Sequence, residues 1–175
     1  MKKLLVPLMT SSLLLCTTQV LSQAQVEINW ENPEKYRDVR PTMESRVKFR
    51  EHTFEQLLEY LQKLAAKLPD DQKLSLNVTN LDLAGQVWPA SFVGFGHGAS
   101  DVRVIKNMDI PRISFTYKLV NTTGELIQEG DVELKDMAFM DRANRFFSSE
   151  SLRYEKNMLK DWFDDEFPEL MVKTN

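Results

Sequence analysis

Between Phe54 and Leu68 the apolar residues Phe54, Leu57, Leu58, Leu61, Leu64, Ala65 and Leu68 fall on one helix face. On both sides of this stretch the period drops to two. Residues 26–30, 74–79 and 113–119 alternate apolar with polar side chains, and Leu126, Val132 and Leu134 carry a further strand through 125–135. A helix with one apolar stripe and strands with one apolar face must bury them on each other. The expected order is strand, helix, strand, strand, hairpin, helix. That order predicts a single α+β domain, with a mostly antiparallel sheet of about four to five strands and helices packed on one face.

Local signals add detail. Thr53 and Gln56 have capping-box spacing, while Val47 and Arg50 keep helical spacing back toward Met43, so the helix starts at one point or the other. Glu59 and Lys63 form an i,i+4 pair, and Pro69 stops the helix. Asn121, Thr122, Thr123 and Gly124 supply the turn of a hairpin. Met137, Phe139, Met140 and Phe146 suggest a helical segment, with Met137, Met140 and Met158 spaced as core residues. A last helix carries Leu152, Met158, Leu159, Trp162 and Phe163 on its apolar face, with Ser149 or Ser151 as cap and Pro168 as its end. The acids Asp161, Asp164, Asp165, Glu166 and Glu169 lack a calcium-loop pattern and read as a solvated helix face.

The N-terminus is an address. Lys2 and Lys3 precede an apolar run to Cys16, and Ser22 and Ala24 form a small-x-small site, so a secretory signal peptide over 1–24 is expected, cut after Ala24. A lipoprotein anchor on Cys16 is disfavoured by Leu15, because such sites take a small residue there. Cleavage leaves a domain over 25–175 and removes the single cysteine of the 175-residue chain. The mature protein is then expected in the periplasm, without a disulfide, held by its core alone. No second apolar run is long enough to span a bilayer.

Charge and motifs exclude several classes. Lys and Arg number 22 against 26 Asp and Glu, a net charge of −4. No basic tract stands out, so neither nucleic acid nor an anionic membrane surface is expected as a partner. There is no HExxH, GxSxG or P-loop pattern, and the glycines Gly94, Gly96 and Gly98 lack dinucleotide-loop spacing, so no cofactor is expected. With Cys16 removed, thiol chemistry and zinc–thiolate sites are excluded.

Two constellations remain. Trp88, Phe92 and Phe95 lie in the glycine-rich stretch 86–100 and can present aromatic faces to a partner protein, a peptide or a sugar. Asp82, His97, Asp101 and Arg103, with Arg112 nearby in sequence, converge if the strands ending at Asp82 and opening at Asp101 are neighbours. Asp and His together can orient a water or hold a divalent ion. The first constellation favours a non-enzymatic module binding a partner protein or small ligand. The second favours a metal-assisted hydrolase using Asp82, His97 and Asp101. A structural envelope component assembling through a sheet edge is a third reading.

A series of short motifs runs along the chain: Leu81-Asp82-Leu83-Ala84-Gly85, Asp101-Val102-Arg103-Val104, Pro111-Arg112-Ile113 with Tyr117, Asp136-Met137, Tyr154-Glu155-Lys156 and Asp161-Trp162-Phe163. In this order they resemble the domain of unknown function 3016 family, exported proteins mostly of Gram-negative bacteria. The resemblance covers residues 26–167 and implies export and a single domain. It carries no activity, substrate or catalytic residue.

Overall fold

The computed structural model describes residues 24–96, 98–141 and 150–171. Among these residues six strands and two α-helices follow one another: β1 (Gln25–Trp30), α1 (Arg46–Ala65), β2 (Gln72–Asp82), β3 (Gln86–Trp88), β4 (Val102–Val104), β5 (Arg112–Asn121), β6 (Leu126–Lys135) and α2 (Arg153–Glu166). Short 3-10 turns at Pro33–Lys35 and Ala90–Val93 complete the order. The main sheet has four strands in the order β1-β2-β5-β6, and β3 and β4 form a separate two-stranded ribbon. The β2–β5 and β5–β6 pairs are antiparallel; β1 pairs parallel with β2, because α1 carries the chain back between them. This is the expected α+β architecture.

Alternation decides the two faces of the sheet. Leu74, Leu76 and Val78 of β2 and Ile113, Phe115, Tyr117 and Leu119 of β5 are buried with Leu57, Leu61, Leu64 and Ala65 of α1 and Met158, Leu159, Trp162 and Phe163 of α2 in one cluster. Both helices therefore cover one face. A register shift between Val78 and Asn80 returns Leu81 and Asp82 to the buried side at the end of β2. The Trp162 ring stands edge-on to Phe115 at 4.8 Å and to Phe167 at 5.6 Å, and Trp30 stacks on Phe54 at 3.9 Å. Glu166 pins the end of α2 to the sheet, accepting from the Tyr117 hydroxyl at 2.5 Å and the Gln128 amide at 2.6 Å. This acid belongs to a helix–sheet joint, not to a solvated face, and Asp164 likewise pairs with Lys67 at 2.8 Å.

Several local expectations are corrected. Helix α1 starts at Arg46, with Ser45 as its cap accepting from the Lys48 amide at 3.2 Å. Thr53 lies inside the helix, and its hydroxyl donates to the Phe49 carbonyl at 2.8 Å, so it caps nothing. Helix α2 follows Leu152, which takes a left-handed conformation without a side-chain cap, and the Ser151 hydroxyl turns to Gln56 instead. Residues 137–141 form turns, so a three-residue spacing creates no common face there; Met137 is 73% exposed and Met140 is exposed, while Met158 is in the core. Phe146 and Ser149 lie outside the described residues, as do residues 1–23 of the expected signal peptide.

Candidate functional site

The main sheet ends where β2 runs out, and the chain leaves it through Leu83, Ala84 and Gly85. Gly85 has φ +78, and a Cβ there would meet the Val104 carbonyl oxygen at 2.6 Å. Only glycine lets β3 start this close to β4. The ribbon then pairs Gln86 with Val104, Val87 with Arg103 and Trp88 with Val102. The strand opening near Asp101 is therefore a neighbour of β3 and not of β2, because the turn at Gly85 takes the chain off the main sheet.

Arg103 locks the base of this ribbon. Its guanidinium donates to the Ala84 carbonyl at 3.2 Å, Gly85 at 3.1 Å, Asp38 at 2.7 Å and Arg40 at 2.9 Å. A planar fork of donors suits four carbonyls from two separate segments, and burial pulls its proton affinity down from the ordinary arginine value. Below it sits Glu155 of α2, fully buried, accepting the Ala84 amide at 2.8 Å. Burial pushes the Glu155 carboxyl up, against the pull of the Ala84 amide and of Arg103.

Asp82 is buried and pairs with Arg112, its register partner on β5, at 3.5 Å. Burial first, and then the charge of Asp38, push its carboxyl up to about 6; Arg37 and Arg112 pull the other way. Asp38, Asp82, Asp109, Arg37 and Arg112 share the lining of a small polar cavity of about 60 Å³. Asp101 is exposed and makes no hydrogen bond or ion pair among the described residues. His97 lies outside them. No group of three or more His, Cys, Asp or Glu among the described residues is placed to hold a metal ion.

The aromatics of the stretch divide. Trp88 is half-buried, with the Lys106 ammonium 3.7 Å over its ring and its indole N–H on Gln86 at 3.2 Å. Phe92 and Phe95 are 76% and 57% exposed. Their backbone is nevertheless fixed: Ala90 is buried, and the Phe92 and Phe95 amides donate to Pro89 and Ala90 at 2.9 and 3.0 Å.

The motifs scattered along the sequence thus meet in space. Leu81–Gly85, the Arg103 strand, Arg112 and Tyr154–Lys156 all close on the junction between sheet, ribbon and α2. A family model described as a protein of unknown function, DUF3016, matches residues 24–165. The chain belongs to the DUF3016 family. No curated protein and no solved structure matches the DUF3016 chain significantly.

Sequence reasoning passed over one feature of this DUF3016 chain. Residues 35–50 carry Lys35, Arg37, Arg40, Arg46, Lys48 and Arg50 against Asp38 and Glu44, a basic stretch hidden by the acidic total. Counting charge in windows reveals it. The structure folds it around a cleft of about 560 Å³ that β3 closes with Gln86 and Val87.

Proposed function

We propose that this DUF3016 protein is an exported periplasmic module that binds a partner protein, without catalysis of its own, through the outer end of the β3–β4 ribbon. The observation that carries the reading is the exposure of Phe92 and Phe95 on a turn whose amides donate to the Pro89 and Ala90 carbonyls. Large aromatics on a fixed scaffold are the usual anchors of protein interfaces. Neither ring lines the cleft or the polar cavity described above, and a small ligand needs enclosing walls, so the position favours a macromolecular partner. Export is supported by Lys2, Lys3 and the apolar run that follows.

The test places a photo-reactive residue at position 92 or 95 of the full chain, expressed in a Gram-negative host. The periplasmic fraction is then irradiated, and the same is done for position 118 on the open face of the sheet. A discrete adduct from 92 and 95 but not 118, on a chain whose N-terminus has been processed to Gln25, is expected. Phe92→Ser/Phe95→Ser should lose the complex while unfolding changes by no more than about 0.5 kcal/mol. Equal adducts from all three positions, or retention of the chain in the cytoplasm, rejects the reading.

A further inference from the structure

We propose that the cleft between the 33–40 segment and the start of α1 is a binding site for a small ligand carrying two phosphate groups. Two pairs of arginines line it. Arg37 and Arg40 project from the 33–40 segment, and Arg46 and Arg50 lie one turn apart on α1. Lys35 adds a fifth cation, against the carboxylates Glu34 and Asp38. None of the five cationic side chains makes an ion pair or a hydrogen bond among the described residues.

The arrangement opposes the local physics of the helix. Arg46, Lys48 and Arg50 stand in the first turns of α1, where the helix dipole favours acids, and no acid occupies the first turn. Arg46 and Arg50 also repel each other at i,i+4 spacing. A bound dianion relieves both.

The opposite wall is held for this purpose. Tyr36 and Val39 are buried, and the Tyr36 hydroxyl donates to the Val78 carbonyl at 2.7 Å. Arg37 and Arg40, each next in sequence after one of those anchors, are exposed. Arg103 grips the carbonyls of Asp38 and Arg40, and Asp38 sits at φ 55, a conformation that is strained for a residue with a side chain. The backbone that carries one arginine pair is therefore set before any ligand arrives. The cleft, about 560 Å³, exceeds what a single ion fills and lies in the range of small-ligand sites. Paired guanidinium forks match phosphate oxygens two by two. The ligand is a free diphosphate or a lipid headgroup that carries two phosphates; the chemistry is shared. This site rests on a different surface from Phe92 and Phe95, so failure of the partner reading leaves it standing.

The test titrates the full chain with inorganic pyrophosphate and with orthophosphate by calorimetry at about 0.1 M salt, where exposed charges are already screened beyond about 10 Å. It also measures flotation with vesicles of cardiolipin, whose headgroup carries two phosphates, of phosphatidylglycerol, which carries one, and of phosphatidylcholine. Variants are Arg37→Ala/Arg40→Ala and Arg46→Ala/Arg50→Ala, with Lys118→Ala as control and thermal midpoints to confirm folding. Pyrophosphate binding at least about ten-fold tighter than orthophosphate, weakened about ten-fold or more by either double variant and unchanged by Lys118→Ala, is expected for a free diphosphate. Flotation with cardiolipin but not with phosphatidylglycerol or phosphatidylcholine, lost in the same variants, assigns the headgroup as the source. Absence of binding to both, or binding that both double variants retain, overturns the proposal.

Discussion

Asp82 and Glu155 are acids placed where water is scarce, and each is tolerated because a specific donor meets it. Glu155 takes the Ala84 amide and Asp82 takes Arg112. The cost appears as a pH dependence. The Asp82 carboxyl is raised from 3.8 to about 6 in the folded protein. Between those values the native chain keeps a proton that the unfolded chain has released. Stability therefore falls as pH rises through that window, and Glu155 acts in the same direction. Asp82→Asn should flatten this part of the profile, gaining on the order of 2 kcal/mol relative to the parent between pH 4 and pH 7, less what Arg112 loses. Urea melts at a series of pH values measure it. A difference that stays constant with pH would show that Asp82 is ionised throughout.

At the scale of elements, the ribbon is the part whose position depends most on single contacts. Its strands are three residues each, too short to stand alone in water. Gly85 at its entry and Arg103 at its base hold it against the sheet and the 36–40 segment. Gly85→Ala places a methyl group 2.6 Å from the Val104 oxygen at a positive φ. The substitution should cost at least about 1–3 kcal/mol, and the loss should appear first as faster proteolysis within residues 86–104. Helix α1 shows what sequence pattern reads well and what it reads badly. Its stripe was legible from Phe54 to Ala65, where 3.6-residue spacing holds, but the helix ends at Ala65 and not at Pro69, and Leu68 is buried from the turn beyond it. Its start was not legible, because Thr53-x-x-Gln56 imitates a cap and only the Phe49 carbonyl one turn earlier shows that the helix already exists there.

At the scale of the whole molecule, burial is unevenly shared. The strands β2 and β5 lie inside the sheet and carry every fully buried strand residue among those described, whereas β3 and β4 bury no residue fully. Native-state hydrogen exchange should follow this division. Amides of Leu76, Val78, Phe115 and Tyr117 should open only with global unfolding, and those of the ribbon at least about ten-fold faster, through local opening. Uniform protection across both sheets would contradict this division. The charge is divided as well, with the arginines of residues 35–50 at one site and the acids Asp161, Asp164, Asp165 and Glu166 on α2. A net charge of −4 hides this separation, which is why the basic cleft escaped a reading based on totals.

The sequence by itself determined the class of fold and most of the elements, because periods of two and of about 3.6 residues are local properties that burial must respect. It also marked Asp82, Arg103 and Arg112 as residues to examine. Only the tertiary structure decided what they do. Asp82 meets Arg112 because a register shift in β2 and the pairing of β2 with β5 bring them opposite each other. Arg103 ends on the carbonyls of Asp38 and Arg40, more than sixty positions away, and Glu155 reaches Ala84 across seventy-one. No period or spacing encodes such contacts. They depend on how the strand ends, the turn at Gly85 and the start of α2 are stacked once the core has closed.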